Sequence, residues 1–188
     1  MLKDTIGRRI LFVLLGLIIV AVVIVLVSRW GGMRREERPA VVREVPGETR
    51  TITVYYGSRD ATELVEETRE ITTAGDGLEN EVKEALGALL EDSRDRDLVS
   101  AIPKGTRILR VFWVEEEETV YLDFNGALTA NHPGGSVSEY FTIKVILKTI
   151  SANFPQISKV QILVNGYPVE TIAGHYGVRE PLDVRKWR

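Results

Sequence analysis

The chain has 188 residues, with 24 Lys and Arg against 27 Asp and Glu, a formal net charge of −3 and no cysteine. That charge balance excludes a generic nucleic-acid binder, which carries a basic excess or a basic stripe. The missing cysteines exclude disulfide staples, thiolate metal sites, a cysteine nucleophile and a lipid-modified cysteine, and the two histidines are too few for a multi-histidine metal site within one chain.

Residues 1–9 form a short N-terminal tail. From Ile10 to Val27 the side chains are apolar, broken only by Gly16. As a helix this run reaches about 27 Å, close to the hydrocarbon thickness of a bilayer. A buried core helix would show a polar stripe, and a signal peptide would end in a small-residue cleavage site. Ser28, Arg29 and Trp30 supply neither, so the expectation is a single retained transmembrane helix over 10–27. Basic residues flank it on both sides, so charge does not orient it. Trp30 reads as an interfacial anchor. Residues 28–50 read as a juxtamembrane linker ending near Pro46-Gly47.

The expected soluble domain covers 51–185. Thr51 to Tyr56 is β-branched and aromatic and predicts a strand, and Leu64 to Thr72 predicts a second, more exposed one. Asp76-Gly77-Leu78-Glu79 has the form of a capping box. Leu78, Val82, Ala85, Leu86, Leu89 and Leu90 then recur at helical spacing, giving a first helix to about Asp92.

Arg107 to Glu115 and Thr119 to Phe124 predict two strands around a hairpin tip at Glu115–Glu118, where four carboxylates are read as solvated and not as metal ligands. Ser136-Val137-Ser138-Glu139 reads as a second capping box, with Ser136 as the cap of a helix running to about Phe154. Its apolar residues point in many directions, so it should be largely buried, or shared with a partner. Lys159 to Val164 predicts a strand, Asn165-Gly166 a hairpin turn, and Val169 to Ala173 the returning antiparallel strand. The fold class expected is α+β: a two-layer sandwich of a mostly antiparallel sheet with two helices, preceded by one transmembrane helix.

Several stretches in order carry a resemblance: Thr53-Val54-Tyr55-Tyr56, Glu81 to Leu90, Leu98 to Thr106, Val120 to Phe124, Gly135 to Glu139, Val164-Asn165-Gly166-Tyr167-Pro168 and Ala173-Gly174-His175. Together the chain resembles the GerMN domain family of sporulation and germination proteins. The resemblance implies a bacterial, extracytoplasmic, membrane-tethered domain, with a fold akin to the ring-building modules of sporulation channels. It implies an interaction or ligand-binding role and no enzyme. The chain departs from the family pattern in lacking a lipobox cysteine and in carrying one domain copy.

Chemistry-bearing residues are few. A histidine could pair with Ser136 or Ser138 and Asp123 for hydrolysis, but no nucleophile-elbow motif is present. His175, in a Gly-His-Tyr-Gly turn, is either a ligand contact or a residue holding its own turn. Asp123 beside Asn125-Gly126 reads as a turn residue. No cofactor or metal is expected. In the strand from Arg107 both parities are largely apolar, which points to a partner on one face. Parity assigns Ile52, Val54, Ile108, Phe112, Leu122, Ile162 and Val164 to the core. It leaves Tyr55, Leu109, Val111, Trp113, Tyr121 and Leu163 as the interaction surface.

The reading is a single-pass protein of the cell membrane with its C-terminal domain outside the cytoplasm. It would meet the membrane through 10–27 and an envelope protein or its own copy through that surface, with no nucleic acid. The alternative is an accessory domain binding a small envelope ligand such as a peptidoglycan fragment.

Overall fold

The structure, a computed structural model, describes residues 14, 16–26, 48–60, 62–73, 75 and 77–187. The chain divides into two units, 1–43 and 44–188. In the first, residues 16–26 are helical, and Leu17, Ile18, Ile19, Val20, Val22, Val23 and Ile24 are all at least 50% exposed. Among the described residues no helix is long and apolar enough to cross a membrane. The expected span over 10–27 lies partly outside the described residues, as do the linker up to residue 47 and the cap at Asp76.

The second unit begins earlier than expected, because β1 runs over Glu48–Ser58. Its alternation buries Ile52, Val54 and Tyr56 on one face. β2 (Leu64–Thr73) pairs antiparallel with β1, and the short β3 (Leu98–Val99) pairs with the end of β1. Between β2 and β3 lies α1 (Leu78–Leu90), which buries Val82, Ala85, Leu86, Ala88 and Leu89 at helical spacing. β4 (Ile108–Val114) and β5 (Thr119–Phe124) form a hairpin whose tip is a 3-10 turn at Glu115–Glu117, closed by Glu118 in the left-handed region. A single helical turn at Ala127–Ala130 precedes α2 (Ser136–Asn153). β6 (Lys159–Val164), β7 (Tyr167–Pro168) and β8 (Leu182–Asp183) follow, and a 3-10 turn at Val184–Trp187 ends the described chain.

The strands form two sheets, not one. β2-β1-β3 is the first, and β4-β5-β6-β7 is the second, with β8 also on β6. The pairing is mostly antiparallel, as expected; β5 and β6 are the parallel pair. The reason is the crossover: the helical turn and α2 carry the chain back along the sheet before β6 starts, as a parallel pair requires. α1 runs against β4 and β2, and α2 against β1 and the C-terminal turn. One hydrophobic cluster therefore draws on both sheets and both helices. Burial of Ile143, Val145, Ile146, Leu147 and Ile150 explains why α2 is apolar around most of its circumference, with Lys144 and Lys148 on the remaining side.

Two further expectations are corrected. Val169 to Ala173 forms no strand; after Tyr167 and Pro168 the chain leaves the sheet, and Leu182 and Asp183 pair with Val160 and Lys159 instead. The amides of Ile172 and Ala173 are taken by a side chain of α2. Nor does either glycine-led helix start carry a side-chain cap: Gly77 and Gly135 are the N-cap residues, and Ser136 lies inside α2.

Candidate functional site

Register decides which residues share a face. β4 and β5 pair as Ile108 with Phe124, then Arg110 with Asp123, so Leu109 is an extra residue in a β-bulge. The bulge reverses the parity of everything after it. Val111 and Trp113 therefore lie beside Leu122 and Val120 and pack against the core. Phe112 lies beside Tyr121 on the outer face, 46% exposed, and bulged Leu109 is 40% exposed. The parity assignment of Val111 and Trp113 to the surface, and of Phe112 to the core, is thus overturned by a single inserted residue. Leu163, next to Asp123, completes the outer face with Tyr121. Tyr55 belongs to the other sheet and is not brought to this surface.

The outer face has a polar lock. The Asp123 carboxylate is fully buried and accepts the Gly166 N–H at 2.6 Å, while Arg110 reaches it at 3.2 Å. Gly166 has φ 84°, and a Cβ there would meet the Arg110 guanidinium at 3.5 Å. Asp123 thereby pins the Asn165-Gly166 turn to the sheet. The Arg110 guanidinium also lies 5.9 Å from the Phe112 ring centroid.

A second cluster gathers at the start of α2. Sequence spacing makes Glu139 half of a capping box, but its carboxylate is fully buried and turned inward. Oε1 accepts the N–H groups of Ile172 and Ala173, each at 2.9 Å, and Oε2 accepts that of His175 at 2.8 Å. His175 Nδ1 lies 3.2 Å from the same oxygen, so His175 does hold its turn, through Glu139. Burial pushes the Glu139 carboxyl up, but backbone N–H groups of Ala173, His175, Tyr176 and Ile172 outweigh it and hold it below its ordinary value. His132 Nδ1 accepts the Gly134 N–H at 3.0 Å, which leaves Nε2–H to donate to Thr142 Oγ1 at 3.1 Å. The Thr142 hydroxyl then donates to Ala101 O at 2.6 Å. Burial holds His132 below its ordinary pKa, against the pull of Glu139. The hydrolytic triad is therefore not assembled: His132 meets Thr142, His175 meets Glu139, and Asp123 meets Arg110 and Gly166.

Beside this cluster opens a cleft of about 550 Å³, lined by Gly57 and Ser58 of β1, Arg59, Val99 to Ala101, Gly134 to Ser138 and Phe141. The glycines at 134 and 135 have φ 82° and 85°, with open space where a Cβ would stand. Sequence reasoning does not single out Glu139 and Thr142, because the serines around them resemble a cap. A signal was present: Glu139 shares the i, i+4, i+7, i+11 stripe of Ile143, Ile146 and Ile150, all buried.

Comparisons with known proteins agree on one fold. A solved Clostridium perfringens protein, assigned as a lipoprotein, is 23% identical with a TM-score of 0.52, covering 72% of this chain and 87% of that one. The first GerMN domain of the sporulation protein GerM from Bacillus subtilis is 18% identical with a TM-score of 0.55, covering 71% of this chain and 97% of that one. The tandem GerMN domains of the same protein are 19% identical with a TM-score of 0.55, covering 78% of this chain but 49% of that one, so this chain spans about half the tandem's length. A search of curated protein sequences gave no match. These neighbours are sporulation domains and an assigned lipoprotein. The profile of the Germane family, described as "Sporulation and spore germination", matches residues 53–170, and this chain belongs to that family.

Proposed function

We propose that this chain is a membrane-tethered, extracytoplasmic protein-interaction module of a bacterial cell envelope, serving sporulation or germination without catalysis. The observation that carries the interaction role is the exposure of Leu109 and Phe112 on β4, the terminal strand of the second sheet. Large apolar side chains on a terminal strand are a liability unless a partner covers them. Phe112 and Tyr121 are the aromatic type that anchors interfaces, with much area and few rotors. The tether rests on the apolar run Ile10 to Val27, and the envelope location on that run and on the assigned lipoprotein among the structural neighbours. The partner is an envelope protein or a second copy of this chain.

A photo-crosslinking residue at Leu109, in native membranes, should give one defined adduct that Phe112→Glu removes. The same probe at exposed Lys83 should give none. Identical adducts from both positions would end the interaction reading. Protease added to intact spheroplasts should digest residues 44–188, and protection until lysis would refute the topology.

A further inference from the structure

We propose that the face joining α2 to the C-terminal turn binds a sugar ring bearing an acidic group, a carboxylate or a phosphate. Lys144 and Lys148 stand one turn apart on α2. Their ammonium groups rest over tyrosine rings, Lys144 at 5.2 Å from the Tyr140 centroid and Lys148 at 5.1 Å from that of Tyr55. Neither lysine takes part in any ion pair among the described residues. In a chain of net charge −3, two ordered and uncompensated ammonium groups make a local positive site.

The rings supply the other half of the recognition. Trp187 lies 5.3 Å from Tyr140, tilted by 39°. Trp187, Tyr55, Lys148, Ser151 and Ala152 line an open cavity of about 210 Å³. A cavity of about 150 Å³ accepts benzene, so this one is sized for a single six-membered ring. A pyranose offers an apolar C–H face to Trp187 and its acidic substituent to Lys148 and Lys144. A bilayer is a poorer occupant, because Trp187 and Tyr55 are half-buried and recessed, whereas membrane anchors present protruding rings. A peptide is too large for a one-ring cavity. The site shares no residue with the Leu109–Phe112 surface, so either proposal can fail alone.

The test is calorimetric titration of the full chain in neutral detergent with N-acetylmuramic acid, glucose 6-phosphate and N-acetylglucosamine, and separately with phosphatidylglycerol vesicles. The expected result is saturable, salt-sensitive binding of at least one acidic sugar, about tenfold tighter than the neutral one. The preferred acid tells a carboxylate-bearing source from a phosphate-bearing one. Lys148→Met and Trp187→Phe should each weaken binding about tenfold, the first also flattening the salt dependence. Lys148→Met nearly conserves volume and Trp187→Phe keeps an aromatic ring, and an unaltered melting temperature shows that the loss is not unfolding. Equal affinity for the neutral sugar, binding to the vesicles alone, or no saturable binding to either acid would overturn the proposal.

Discussion

The side-chain amide of Asn153, at the end of α2, forms the missing rung of β1 at Thr53. Its Oδ1 accepts the Thr53 N–H at 2.9 Å and its Nδ2 donates to the Thr53 carbonyl at 2.7 Å. One amide side chain thus imitates a neighbouring strand where β1 would otherwise leave both groups unpaired against the helix. The same Nδ2 donates to Thr149 O, and Arg50 donates to the Asn153 carbonyl.

Asn153→Asp keeps the acceptor but replaces the donor with a second oxygen facing the Thr53 carbonyl. Asn153→Leu removes both bonds and leaves the Thr53 groups unsatisfied. Each should lower stability by about 2–3 kcal/mol, since a buried unpaired polar group costs more than a hydrogen bond gains. Chemical denaturation of the full chain measures it, and a loss below half a kcal/mol would show that water replaces the amide.

Arg69 of β2 closes the C-terminal end of α1, which has no basic residue in its own last turn. The nearly buried guanidinium donates to the Ala88 and Asp92 carbonyls and pairs with Glu67 and Glu91. It supplies from another element the charge and donors that a helix end requires. Arg69→Met should cost about 3 kcal/mol, because it leaves carbonyls and the Glu67 carboxylate behind. Arg69→Lys should recover less than half, lacking the planar fork. Equal stability of the lysine variant and the parent would deny the fork its role.

Two acid-linked losses of stability follow from the cluster at α2. Folding lowers the His132 pKa, so the unfolded chain binds more protons as pH falls and the fold weakens below about pH 6.5. Folding also lowers the Glu139 pKa; its stabilisation is complete above the ordinary glutamate value, about 4.3, and fades as pH drops through the folded value. Glu139→Gln should abolish the second loss and cost about 2–4 kcal/mol at neutral pH, because an amide nitrogen would face N–H donors. Thermal melts from pH 7 to 3 check both, and an unchanged acid limb in Glu139→Gln would contradict the assignment.

The local elements were legible because their signals are local. The β-branched run at β1, the apolar spacing of α1 and the broad apolar surface of α2 each point to what is seen. What depends on distant pairing was not. Nothing near Thr53 in sequence announces Asn153, and nothing in Ser136 to Glu139 distinguishes a cap from an inward carboxylate that gathers the 172–176 loop. The division into two sheets separates Tyr55 from Tyr121, although both carry the same parity pattern. The return strand after Asn165-Gly166 was overcounted because Glu139 competes for its amides.

The bulge at Leu109 gives the sharpest contrast between neighbours. Alternation read straight through β4 places Phe112 inside and Trp113 outside, whereas the shifted register does the reverse. A carboxylate at 113 would stand beside Val120 against the core, unpaired, and the indole's contacts would be lost. Trp113→Glu should therefore destabilise by about 3 kcal/mol or more. Phe112→Glu places its charge in solvent near Arg110 and should change stability by less than about 0.5 kcal/mol. Denaturant midpoints for the two variants, measured side by side, decide it. A stable Trp113→Glu protein with a melted Phe112→Glu partner would mean that β4 pairs without the bulge, and the outer surface would pass to Val111 and Trp113.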